Sequence, residues 1–153
     1  LTEERQVLFP GEVHRYAAGR PRYWLTPPKL YDVLDTEFGF DFDPCPFPLP
    51  VGFNGLSVDW GRSNFVNPPF RPHDVVNGRG PTQFVRKAIA EAEKGKTSVL
   101  ILPVRWYTDM LLGANAEIRQ LGRVAWEEVE TREPMPHPGP CALFVLRGKE
   151  GQS

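Results

Sequence analysis

Apolar positions change their period along this chain, and each change marks an element. Leu30, Val33, Leu34 and Phe38 recur at helical spacing behind Thr26-Pro27-Pro28. That pattern predicts a helix capped by Thr26, with proline in the first turn where its missing N–H is no loss, and stopped at Gly39. Phe40-Asp41-Phe42-Asp43 then alternates like a strand until Pro44-Cys45-Pro46 ends it. Residues 47–54 are Pro- and Gly-rich and read as loop, and Gly55 to Trp60 reads as a short strand finishing near Asp59. Asn64-Phe65-Val66 suits a buried strand that stops at Asn67, because Pro68 cannot donate to a ladder and forces its predecessor into extended backbone. Thr82 is the expected cap of a second helix with the apolar stripe Phe84, Val85, Ala88, Ile89 and Ala92, closed by Lys94-Gly95-Lys96. The unbroken run from Ser98 to Pro103 predicts a strand covered on both faces, as in a parallel sheet. Met110, Leu111, Ile118 and Leu121 suggest one more helix ending near Gly122, and residues 123–127 and 141–146 two final strands.

Strands alternating with helices predict an α/β fold: a mostly parallel sheet with an antiparallel C-terminal edge. Length suits one domain, since 153 residues bury a single core. We divide the chain into an irregular N-terminal arm (1–22), the main domain (23–147) and a flexible tail (148–153). A hydrophobic share of 41% and a charged share of 24% lie in the globular range. The net charge of -1 speaks against an extended nonspecific polyanion binder, yet leaves room for a local basic face. No apolar run approaches bilayer length and the first residues form no charged-then-apolar leader, so a soluble, cytoplasmic protein with no membrane partner is expected. Cys45 and Cys141 have no paired ligand spacing and read as buried thiols; His14, His73 and His137 stand singly, so no metal is expected.

Candidate chemistry centres on Asn67-Pro68-Pro69-Phe70. An Asn side chain offers an acceptor and two donors, and a proline leaves its carbonyl available, so Asn67 Oδ1 and the Pro68 carbonyl can hold one amino group between them. Phe70 adds a flat face for a planar ring. Taken alone, the tetrapeptide is also compatible with a plain Pro-rich turn. Asp43 stands at the carboxyl end of a predicted strand, where open α/β sheets bind ligands, although an edge carboxylate facing solvent has the same sequence signature. Arg20 and Arg22 are interleaved with Tyr16, Tyr23 and Trp24, a composition suited to phosphate contact and base stacking. Arg71 and Arg79 flank a polar loop after the tetrapeptide, and Arg105 follows the apolar strand. Each arginine reads equally as a surface cation.

The succession Trp24-Leu25-Thr26-Pro27, Phe40-Asp41-Phe42-Asp43-Pro44, Asp59-Trp60, Asn67-Pro68-Pro69-Phe70, Leu102-Pro103-Val104-Arg105 and Gly122-Arg123-Val124 resembles the phage-type DNA N6-adenine methyltransferases over about residues 23–147. The tetrapeptide is shared more widely, with enzymes acting on RNA or protein glutamine. The resemblance implies a reduced Rossmann-like methyltransferase fold, S-adenosylmethionine as cofactor, DNA as partner, and a bacterial or phage-infected host cell as setting. It implies that Asn67, Pro68 and Pro69 hold the target amine, that Phe70 stacks on the flipped base, and that Thr26, Pro27, Asp43 and Pro44 hold the cofactor. Phe70 departs from the more usual tyrosine, and prolines follow Asp43 where many methyltransferases carry a glycine loop. About twenty residues separate Asp43 from Phe65, too few for two crossovers of a dozen or more residues each; Asp59 is the candidate for the cofactor ribose. Two other readings stay open: transfer to cytosine N4, RNA or protein glutamine, and a noncatalytic nucleic-acid-binding relic of the fold.

Overall fold

Two stretches apolar at every position can be satisfied only inside a sheet, and the architecture follows from them. The computed structural model describes residues 24–70, 78–121, 124, 127–128 and 140–150. In order these form β1 (Trp24–Leu25), α1 (Pro28–Phe38), β2 (Ser63–Val66), α2 (Pro81–Glu93), β3 (Thr97–Pro103), α3 (Thr108–Gly113), β4 (Glu117–Gln120), β5 (Glu127–Glu128) and β6 (Cys141–Leu146). The main sheet runs β2-β3-β6-β4, and β1 pairs with β5 in a separate two-stranded sheet. The expected arm lies outside the described residues, as do Arg71 and most of the strand expected over 123–127.

β3 and β6 occupy the centre, and β6 is buried along its whole length. Successive side chains point to opposite faces of a strand, and here each face has its own cover. Val99 and Ile101 of β3, with Leu143 and Val145 of β6 and Phe65 of β2, pack with Leu34 of α1. Leu100, Leu102, Phe144, Leu146 and Val66 pack on the other side with Phe84, Val85 and Ala88 of α2 and Leu111 of α3. Helices on both faces of one sheet make a three-layer α/β domain.

The expected mostly parallel sheet holds only in part: of the three strand pairs described in the main sheet, one is parallel and two are antiparallel. β2 and β3 pair in parallel, with Val66 opposite Leu100. β6 is antiparallel, but it lies inside the sheet between β3 and β4 instead of forming its edge. Burial on both faces requires that position, and β4 can take the edge because Glu117 and Gln120 are exposed there. Residues 40–43 extend the opposite edge more sparsely than a full strand would. A single parallel bridge joins Phe42 to Asn64, with Asp41 N–H donating to Ser63 O at 2.9 Å and Phe65 N–H to Phe42 O at 3.0 Å.

Several local expectations change. α1 begins after Pro27 with no side-chain cap, so Thr26 does not cap it, while Gly39 ends it at φ 59° as expected. α2 starts after Gly80 instead of Thr82; Gln83 Oε1 accepts from Gly80 N–H at 3.0 Å. The long helix to Gly122 is instead the short α3 followed by β4. Asn115 takes a left-handed φ of 62°, which ends the helix and turns Ile118 into an edge-strand residue. Residues 55–58 form turns and bends and 59–60 are irregular, instead of a strand. Gly148 and Lys149, expected in the tail, are tied down: their N–H groups donate to Thr97 Oγ1 at 3.0 Å and Ala92 O at 2.9 Å. No described helix is long and apolar enough to cross a membrane.

Candidate active site

Pro68 ends pairing after β2, and the chain leaves the sheet at its carboxyl edge through four residues of which Asn67, Pro68 and Pro69 are buried. Thr26 reaches the same edge from the segment between β1 and α1 and is also buried. Asn67 Nδ2 donates to Thr26 Oγ1 at 3.0 Å. This bond joins two residues far apart in sequence, both singled out from it. With its nitrogen anchored, the Asn67 amide plane is set, and with it the direction of Oδ1. The Thr26 hydroxyl, having accepted, keeps its own proton to donate.

Phe70 is half-buried and packs against both core clusters, so its ring is braced on the edge of the sheet. Asp43 lies at the carboxyl end of residues 40–43, and the parallel bridge of Phe42 with Asn64 puts it beside Phe65, two residues before Asn67. Its Oδ1 accepts from Cys45 N–H at 2.8 Å, closing a turn into Pro44-Cys45-Pro46, which is buried. At Gly55 the chain approaches itself. A Cβ there would meet the Pro44 carbonyl oxygen at 2.0 Å, so the loop after Asp43 is folded back on its own backbone.

Asp59 does not join this group. Its exposed carboxylate lies 3.6 Å from Lys94 Nζ, at the C-terminal end of α2 and so at the amino edge of the sheet. β2 spans the sheet at about 3.3 Å per residue, which separates Asp59 from Asn67 by the depth of the sheet. Arg79 is occupied in part by structure, donating from Nη1 to Phe53 O at 2.9 Å. Arg105 is exposed just past the carboxyl end of β3. Arg20, Arg22 and Arg71 lie outside the described residues.

Neither cysteine offers a nucleophile. Both thiols are buried; burial first, and the Asp43 charge second, push Cys45 well up, and burial pushes Cys141 to about 11. Asn64, three residues before Asn67, is structural. Its Nδ2 donates to Gly61 O and Thr97 O at 2.9 Å, and its Oδ1 accepts from Gly61 N–H at 2.8 Å.

Sequence reasoning passed over Glu91. It is wholly buried on α2, at the amino edge, where Oε1 accepts from Trp60 N–H at 2.9 Å. Lys87 and Lys94 approach it at 3.5 and 3.2 Å. Lys96 Nζ also donates to Trp60 O at 2.6 Å. A glutamate flanked by lysines at i−4, i+3 and i+5 was the available signal, yet it is equally the signature of a solvated helix end.

These features define an α/β protein in which Thr26 is hydrogen-bonded to Asn67 at the carboxyl end of β2, with Asp43 on the neighbouring segment. Compared with known proteins, the chain matches no family model, no curated protein and no solved structure.

Proposed function

We propose that this chain is an S-adenosylmethionine-dependent methyltransferase that modifies the N6 amine of adenine in DNA, on a reduced Rossmann-like methyltransferase fold. The observation that carries the reading is the Thr26–Asn67 hydrogen bond at the carboxyl edge of the sheet, immediately before two buried prolines. It gives the tetrapeptide an oriented acceptor, which a plain turn does not need. An exocyclic amine is a poor nucleophile because its lone pair is delocalised into the ring. Acceptors at Asn67 Oδ1 and the Pro68 carbonyl favour a pyramidal nitrogen with the lone pair freed, a gain realised mainly in the transition state.

The residues at this edge suit the cofactor by their chemistry. Pro68 and Pro69 contribute carbonyls without N–H groups, and Asp43 contributes a carboxylate. Such a wall repels phosphate and favours a sulfonium and an ammonium. Thr26, Pro27, Asp43 and Pro44 would hold the cofactor, while Asp59 is too far away to meet its ribose. When bound, S-adenosylmethionine supplies an electrophilic methyl group. The protein's part is then to align the amine and exclude competing water. A base inside a duplex cannot present its amine, so the site takes a flipped or unpaired nucleotide.

The deciding experiment incubates the chain with DNA and methyl-labelled cofactor, digests the product and identifies the labelled nucleoside by mass spectrometry. Labelled N6-methyladenine is the expected product. Label on cytosine, RNA or glutamine, or bound cofactor with no transfer to any DNA, rejects the adenine reading. Thr26→Val removes the acceptor for Asn67 Nδ2, and kcat should fall about tenfold, the equivalent of one lost hydrogen bond, with Thr26→Ser restoring most of it. An unchanged kcat in Thr26→Val removes this clamp from the mechanism.

A further inference from the structure

A fully formed strand, a buried tyrosine and a helix start hold one large aromatic side chain out in solvent. β3 is buried to Pro103, after which Val104, Arg105 and Trp106 are exposed in succession, Trp106 at 65%. The chain then returns to the core at Tyr107, which is 2% exposed and whose hydroxyl donates to Pro103 O at 2.6 Å. Val104 N–H donates to Pro140 O at 2.9 Å and Thr108 N–H to Arg105 O at 2.9 Å. The turn is therefore fastened before, within and after its exposed residues. Its position is set by the parallel pairing of β2 with β3. Val66 lies opposite Leu100, so the two neighbouring strands run to the same carboxyl edge of the sheet, β2 leading into residues 67–70 and β3 into the turn that carries Trp106.

We propose that Trp106 is a stacking platform for the nucleobase next to the target nucleotide in an unpaired DNA strand, with Arg105 on the adjoining phosphate. The inference rests on the DNA-methyltransferase reading of the site and adds a substrate contact to it. Three features select this occupant. An indole on a hydrogen-bonded turn has few torsions to order on binding, every base offers it a π face, and the cation next to it in the chain complements the backbone of the same strand. Presenting one base at Asn67 also splays its neighbour out of the stack, at the edge where Trp106 stands.

The test uses the intact chain and a fluorescent short single-stranded oligonucleotide with one adenine among thymines, followed by anisotropy over a range of salt concentrations. Trp106→Ala should weaken binding about tenfold at every salt concentration, with the slope against log salt unchanged, because stacking releases no counterions. Trp106→Phe should restore binding to within about threefold, as it keeps a stacking face. Arg105→Ala should lower the slope by about one. Because Trp106 is exposed, its variants should melt as the parent does, which separates stacking from misfolding. Wild-type affinity in Trp106→Ala overturns the platform and leaves the catalytic reading intact, and a changed salt slope in that variant overturns stacking as the cause. A parent chain with no DNA affinity that methylates another acceptor overturns both.

Discussion

Asn67→Ala should cut methyl transfer at least about 100-fold while changing cofactor affinity little, in line with the loss of one preorganised polar group at a reacting centre. The reason lies in the division of labour within the side chain. Its nitrogen is committed to Thr26 at 3.0 Å, and its oxygen is the acceptor that would hold one N–H of the target amine while the Pro68 carbonyl holds the other. Alanine removes both functions at once. The lost hydrogen bond to Thr26 costs the fold only about 1 kcal/mol, so the variant should remain folded. Single-turnover transfer, cofactor titration and a melting curve on the same preparation check the three parts. Activity within a few-fold of the parent would remove Asn67 from the chemistry; loss of cofactor binding together with activity would make its role structural.

Glu91→Ala should produce the largest loss of stability, about 2–3 kcal/mol, from the orphaned Trp60 N–H and the cavity left by a wholly buried side chain. Against a total of roughly 5–15 kcal/mol for a domain, that is a substantial share. The substitution strands Trp60 N–H and crowds Lys87, Lys94 and Lys96 around an uncharged site. The same group makes stability depend on pH. Burial alone would raise its pKa, but the Trp60 N–H and the lysines outweigh it and hold the carboxyl below its ordinary 4.5. A carboxyl with a depressed folded pKa contributes stability that is complete above the unfolded value and is lost as pH falls through the folded one. Urea melts from pH 7 to pH 3 should therefore show the parent losing stability below about 4.5, with Glu91→Gln losing less over the same interval. A Glu91→Ala chain that melts within about 2 °C of the parent would show the cluster to be energetically idle, since 1 kcal/mol moves a domain of this size by about 2–4 °C.

The elements that could be read from the chain are those whose pattern and packing agree. The unbroken run in β3 demanded two covered faces and the stripe of α2 had one face to bury, whereas β6 was legible as a strand but not as an interior one. Where a pattern satisfied two structures equally, the sequence misled. Met110, Leu111 and Ile118 fit a continuing helix as well as a short helix, a turn at Asn115 and a strand. The Gly55 to Trp60 segment reads as a short strand, but its polar groups are satisfied without a ladder. Trp60 Nε1 instead donates to Gly55 O at 2.7 Å and its backbone N–H to Glu91, partners that no local pattern encodes.

For the site, the chemical alphabet was legible and the assembly was not. Residue types alone determined that Asn67 and Pro68 offer paired acceptors after a strand, that prolines follow Asp43, and that an apolar strand ends next to Arg105. Only the tertiary structure decided which of these share a sheet edge. It drew Thr26 onto Asn67 across 41 residues, put Asp59 at the far edge despite its nearness in sequence, and turned Gly55 toward Pro44. The physical reason is that local composition sets what each backbone segment and side chain can do, whereas strand order and register, fixed by burying both faces of β3 and β6 together, set which of them meet.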